Sequence, residues 1–130
     1  MNKQARLTFI IASISGALAV ILGAFGAHAL EASVTPERIE TWETGVLYHF
    51  FHTLLLLFIG SQLQNDESRS LIWSARLVLA GIIIFSGSLY LLVLTDTGWL
   101  GAITPIGGIS FILGWFLLAT HYYKTKPSES

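Results

Sequence analysis

Polar and apolar positions along this chain fall into long blocks. Four mostly apolar stretches, residues 7–30, 45–63, 71–95 and 101–123, are separated by short segments that hold nearly all the charge. A helix crossing bilayer hydrocarbon needs about 20 such residues, so the pattern predicts four membrane spans. Backbone polar groups in hydrocarbon must bond within their own segment, which makes each span helical. The expected fold is all-α: a four-helix transmembrane bundle forming one integral membrane domain over residues 1–130.

The segments between the blocks carry start signals. In "TPERIETWETG", Thr35 can cap a helix, Pro36 suits its first turn and Glu37 faces the positive end of the helix dipole. Ile39, Trp42 and Val46 follow at helical spacing, which predicts a short interfacial amphipathic helix leading through Gly45 into the second span, with Trp42 as a headgroup anchor. A second Thr-Pro pair, Thr104 and Pro105, offers a start for the fourth helix and would leave Trp99 as a boundary anchor. A start at Trp99 would instead put a proline kink inside the span. The pattern leaves both starts open.

Helices in lipid approach one another where side chains are small. Gly16, Ala19, Gly23, Gly26 and Ala27 form one stripe on the first span, and Ala17 with Ala24 thins a second face, so this helix is expected to pack on more than one neighbour. Gly107, Ser110 and Gly114 repeat the device on the fourth span, and Gly45 opens the second. Packing, not ligand binding, is the expected role of these glycines.

Projecting the second span at about 100 degrees per residue separates two faces. Gly45, His49, His52, Thr53, Leu56 and Gly60 share one side with Tyr48 at its edge, while Leu47, Phe50, Phe51, Leu54 and Phe58 share the other. The two imidazoles are thus expected to face protein, about 6 and 10 Å along the axis from Gly45. His28 should lie at a similar depth, giving a candidate polar cluster of His28, Tyr48, His49 and His52 overhung by Glu31, Glu37, Glu40 and Glu43. His121 belongs to the opposite end.

Composition narrows the class further. Hydrophobic residues make up 53 % and charged residues 12 % of the chain, about half the charged share of an ordinary soluble domain. A net charge of -1 with no basic stripe argues against nucleic acid as a partner. The absence of cysteine excludes disulfides and thiolate chemistry. Lys3, Arg6, Arg69, Arg76, Lys124 and Lys126 fall on one side of the predicted spans and only Arg38 on the other. The positive-inside rule then makes both termini cytoplasmic, with Arg76 as a snorkelling anchor. "AHA" at 27–29 resembles a leader-peptidase site, but the apolar run before it exceeds the 7 to 15 residues of a signal-peptide core, so the first span is expected to be retained.

Three chemistries could use the polar cluster: a divalent metal, a proton relay, or a quinone or haem pocket. A His-x-x-His pair specifies none of them. No HExxH, P-loop, dinucleotide-binding or nucleophile-elbow motif occurs. The plainer expectation is that these side chains hydrogen-bond across helices and help fix the bundle. No metal ligand and no cofactor is assigned.

"LGAFGAHAL" (22–30), "ETGVLYHFFH" (43–52) and "WLGAITPIGGISFILGW" (99–115) resemble the domain-of-unknown-function family 423, small multi-pass bacterial membrane proteins whose eukaryotic relatives include transmembrane protein 256. The matching positions are Gly23, Gly26 and His28, then Thr44, Gly45, Tyr48 and His52, then Gly101, Thr104, Pro105, Gly107 and Gly108. The resemblance implies a bundle of about four helices in the bacterial inner membrane and brings no reaction with it. The expected function is therefore that of a non-enzymatic structural or accessory component, whose partners are the bilayer and a second copy or a larger membrane complex. The alternative is a small transporter or a metal- or cofactor-binding protein that uses the outer-leaflet histidines.

Overall fold

The computed structural model describes residues 1–129, which contain helices and no strands. Four helical segments, Lys3–Leu30, Pro36–Leu63, Arg69–Thr95 and Gly98–Lys124, are long and apolar enough to cross a membrane. The first is α1 (Lys3–Phe25) extended by a π-turn at Gly26–Leu30, and the second is α2 (Pro36–Leu63). The third joins α3 (Arg69–Gly81) to α4 (Gly87–Thr95) through another π-turn, Ile82–Ser86. A 3-10 turn, Gly98–Ala102, precedes α5 (Thr104–Lys124).

The helix starts follow their local chemistry. Asn2 caps α1 by accepting from the Ala5 amide at 2.8 Å, while its own amide donates to the Leu63 carbonyl at 2.7 Å. One side chain thus satisfies groups at the head of α1 and the tail of α2, both of which lack intrahelical partners. Thr35 caps α2 through the Arg38 amide, with Pro36 in the first turn as the sequence suggested. The amphipathic segment expected before the second span is the opening of α2 itself, because helix continues through Gly45 without interruption. The fourth helix begins as α-helix at Thr104 with Pro105 in its first turn, so the proline causes no kink. Trp99 sits on the preceding 3-10 turn, 67 % exposed.

α2 and the third segment form the centre of the bundle, with α1 on the outer side of α2 and α5 against α3. The expectation that α1 packs on several neighbours is corrected here. Its small residues point one way: a methyl group added at Gly16, Gly23 or Gly26 would meet Thr53, Val46 or Trp42, all on α2. Ala17 and Ala24 are exposed. α5 uses the same device, since a methyl group at Gly107 would meet the backbone of Phe85 and one at Gly114 would lie 2.7 Å from Val78 Cγ2. Gly45 receives Tyr90 and Leu89.

The buried side chains separate into two apolar clusters. One includes Ala5, Ile59, Leu63, Leu71, Val78 and Phe111, and the other gathers Leu30, Trp42, Leu92 and Val93. Ser15, His49, Thr53 and Ser86 form a buried polar layer along the same helices between them. The Asn2–Leu63 bond and a 3.0 Å contact between Ser68 and His121 bring the start of α1, the α2–α3 loop and the end of α5 to one end of the bundle. Arg38 lies at the other end, 3.1 Å from Asp96, a residue in the left-handed region at φ 50° that ends α4.

Candidate functional site

On α2 the two faces separate as the helical projection requires. Gly45, His49, His52, Thr53, Leu56 and Gly60 are buried, and Leu47, Phe50, Phe51, Leu54 and Phe58 are exposed. His49 is 4 % and His52 6 % exposed. They do not share a pocket. His49 turns toward α1 and α4, whereas His52 turns toward α5.

Around His49 the hydrogen bonds form a chain across three helices. Thr53 Oγ1 donates to the His49 carbonyl at 2.8 Å, so toward Ser15 Oγ, 2.7 Å away, it can only accept. The Ser15 hydroxyl therefore donates to Thr53, and its oxygen accepts the Nε2–H of His49 at 3.0 Å. Nδ1 of the neutral ring is then an acceptor, filled by the Tyr90 hydroxyl at 2.9 Å. Hydrogen counting thus assigns the Nε2–H tautomer.

His52 has the opposite tautomer for an equally local reason. Its Nδ1 lies 2.8 Å from the Tyr48 carbonyl, which can only accept, so Nδ1 carries the hydrogen. Nε2 accepts from the Trp115 indole at 3.1 Å. The ring stacks on Phe111 with centroids 3.6 Å apart and planes 15° apart. Tyr48, at the edge of the buried face, packs its ring against Phe85 at 4.6 Å. At this aromatic cluster an apolar cavity of about 530 Å³ opens between α2 and α5, and His52 lines it together with Leu47, Tyr48, Phe51, Leu54 and Trp115.

His28 does not join either site. It sits on the π-turn after α1 and is exposed, so the four-member cluster expected from depth alone is not assembled. Depth along an axis fixes height but not azimuth, and the π-turn changes the azimuth at His28. The glutamates at 31, 37, 40 and 43 are likewise exposed. Trp42 is corrected too: it is 1 % exposed, and its indole donates to the Leu22 carbonyl at 2.8 Å. It pins α1 to α2 inside the bundle instead of anchoring at the headgroups. Arg76 is exposed, its guanidinium carbon 4.9 Å from the Trp73 ring centroid.

Sequence reasoning missed the partners that give each imidazole its role: Ser15, Tyr90, Phe111 and Trp115. A tyrosine within the third apolar block was a usable signal, since a phenol in hydrocarbon needs a partner. Nothing in a single sequence pairs it with His49. Among the described residues no three His, Asp or Glu side chains converge as a metal cage would require, and every buried side-chain nitrogen or oxygen has a hydrogen-bond partner.

These features define a class: a polytopic helical membrane protein whose interior polar groups are bonded to one another across the helices. The chain belongs to the family described as protein of unknown function (DUF423), whose model matches residues 22–108. It is similar to the UPF0382 membrane protein SAB0533 of Staphylococcus aureus, with 43 % identity over 119 residues that cover 92 % of this chain and 97 % of the relative. The UPF0382 membrane protein YwdK of Bacillus subtilis is 41 % identical over 122 residues, covering 92 % and 98 %. No solved structure matches the chain.

Proposed function

We propose that this protein is a non-enzymatic structural or accessory component of the bacterial inner membrane, with the start of α1 and the end of α5 in the cytoplasm. One observation carries the reading. His49 and His52, buried on α2, each have both nitrogens engaged by groups of the same chain, which is the arrangement of an interhelical fastener. A metal or haem ligand would need a nitrogen lone pair without such a partner. The cytoplasmic assignment is supported by six cations at the end that holds Asn2 and His121, against Arg38 alone at the other. An accessory role, in a complex with a second copy or a larger membrane assembly, is supported by α1, which covers α2 with one face and leaves Ala17 and Ala24 uncovered on another.

Two measurements test this. The chain has no cysteine, so single cysteines at Ser33 and Ser128 report side unambiguously. An impermeant maleimide should label Ser33→Cys in intact cells and Ser128→Cys only after lysis; the reverse pattern overturns the orientation. Purification in mild detergent should yield a discrete oligomer or a stoichiometric membrane partner. A metal or chromophore retained one per chain and lost in His52→Ala would instead overturn the accessory reading in favour of a binding protein.

A further inference from the structure

Because α1 packs mainly on α2, a groove runs between α1 and α3 with α2 as its floor. At the cation-bearing end it opens into a cavity of about 300 Å³, walled by Leu7 and Ile11 on one side and Ile72 and Leu79 on the other, with Leu56 beneath. Lys3 and Arg76 flank it. Both are exposed, and among the described residues neither has an acidic partner: the ion pairs present are Arg38–Asp96 and His121–Asp66.

We propose that this groove binds one anionic phospholipid, its acyl chain lying between α1 and α3 and its phosphate held by Lys3 and Arg76. Three observations choose this occupant. The walls are mainly aliphatic, with Gln4 and Thr8 among the lining side chains, while the rim carries two uncompensated positive charges, so the complement is an amphiphile with an anionic head. The depth suits one leaflet: Lys3 to Ile11 spans eight residues, about 12 Å at 1.5 Å each, against about 15 Å for half of a bilayer's hydrocarbon. The volume lies at the low end of small-molecule clefts, where a single chain fits and a helix about 10 Å across does not. A zwitterionic lipid would add a cationic group to a rim that already holds two.

Purified protein is incubated in neutral detergent with equal phosphatidylglycerol and phosphatidylcholine, and bound lipid is counted by native mass spectrometry. One phosphatidylglycerol per chain should be retained in preference to phosphatidylcholine. Lys3→Gln with Arg76→Gln should weaken retention about thirtyfold, the effect of two cations beside a lipid phosphate, whereas Arg69→Gln with Lys124→Gln, equal in charge but outside the groove, should not. Ile11→Trp should reduce retention by filling the groove with the charges intact, checked for folding by circular dichroism. Equal retention of the two lipids, or equal loss in both glutamine pairs, overturns the site. So does displacement of the lipid by excess inorganic phosphate, which would show a headgroup contact without a seated chain.

Discussion

Gly107→Ala tests how the third and fourth segments are held together. A methyl carbon at Gly107 would lie 2.7 Å from Cα and 2.8 Å from Cβ of Phe85. Carbon atoms rest at about 3.5–4.0 Å, so the helices must part by about 1 Å. The obstacle is backbone, fixed within the π-turn, and it cannot swing aside like a long side chain. Parting by that amount would stretch two short bonds flanking the contact, Ser110 to the Leu77 carbonyl and Ser88 to Thr104, both 2.6 Å, past hydrogen-bonding range. At about 0.6 kcal/mol for each interhelical bond, plus about 1–3 kcal/mol for overpacking, the expected loss is about 2–4 kcal/mol. Gly108→Ala is the control one residue along, where the nearest atoms are 3.9 Å away. It should be neutral or stabilising by up to about 1 kcal/mol through helix propensity. The assay is reversible unfolding in mixed micelles of dodecyl maltoside and dodecyl sulfate, followed by tryptophan fluorescence. The two variants should differ by roughly a hundredfold in folded-to-unfolded ratio. Equal midpoints would refute the claim that α5 meets the π-turn backbone to backbone.

The remaining predictions use the same assay. Tyr90→Phe removes the donor to His49 Nδ1 and should cost about 0.6–1.7 kcal/mol, with most of that loss absent when His49 is already Ala; full additivity would deny the bond. Asn2→Ala uncaps α1 and frees the Leu63 carbonyl, with an expected cost of about 0.5–2 kcal/mol, while Asn2→Asp should recover the cap but not the donation to Leu63. Arg38→Gln breaks an exposed ion pair and should cost under about 1 kcal/mol, a difference that shrinks as salt rises; a large salt-independent loss would show that Arg38 is structural.

Much of the fold was legible because the bilayer imposes simple rules. Apolar block length gave four spans, and the 100-degree projection separated buried from lipid-facing residues on α2. Glycine positions identified contact faces, as at Gly26, Gly45, Gly107 and Gly114. What failed shares one cause, namely that a helical projection contains no partner. Trp42 was read as a headgroup anchor because tryptophan favours interfaces, yet the Gly26 surface of α1 gives its indole a place inside and the Leu22 carbonyl gives its N–H an acceptor. His28 was grouped with His49 and His52 because it was expected at a similar depth, and depth does not fix the direction a side chain takes; it lies exposed on the π-turn after α1. Nothing local announced either π-turn.

The second π-turn places one member of the polar layer, Ser86. A π-turn interrupts the i to i−4 ladder and leaves a carbonyl or a side chain out of register with the helix around it. Ser86, the last residue of the second turn, is completely buried and donates to the carbonyl of Gly45 at 2.7 Å. It can reach that oxygen because Gly45 has no side chain to hold the helices apart. Ser74 reaches the Gly114 carbonyl at 2.7 Å on the same principle. Close approach and polar fastening are thus a single device: glycine admits the neighbouring helix, and the hydroxyl fixes its height. In hydrocarbon, where apolar contact alone barely favours one helix register over another, such pairs select the register. His49 extends the device to three helices through Ser15 and Tyr90, and His52 ties α2 to α5 through Trp115.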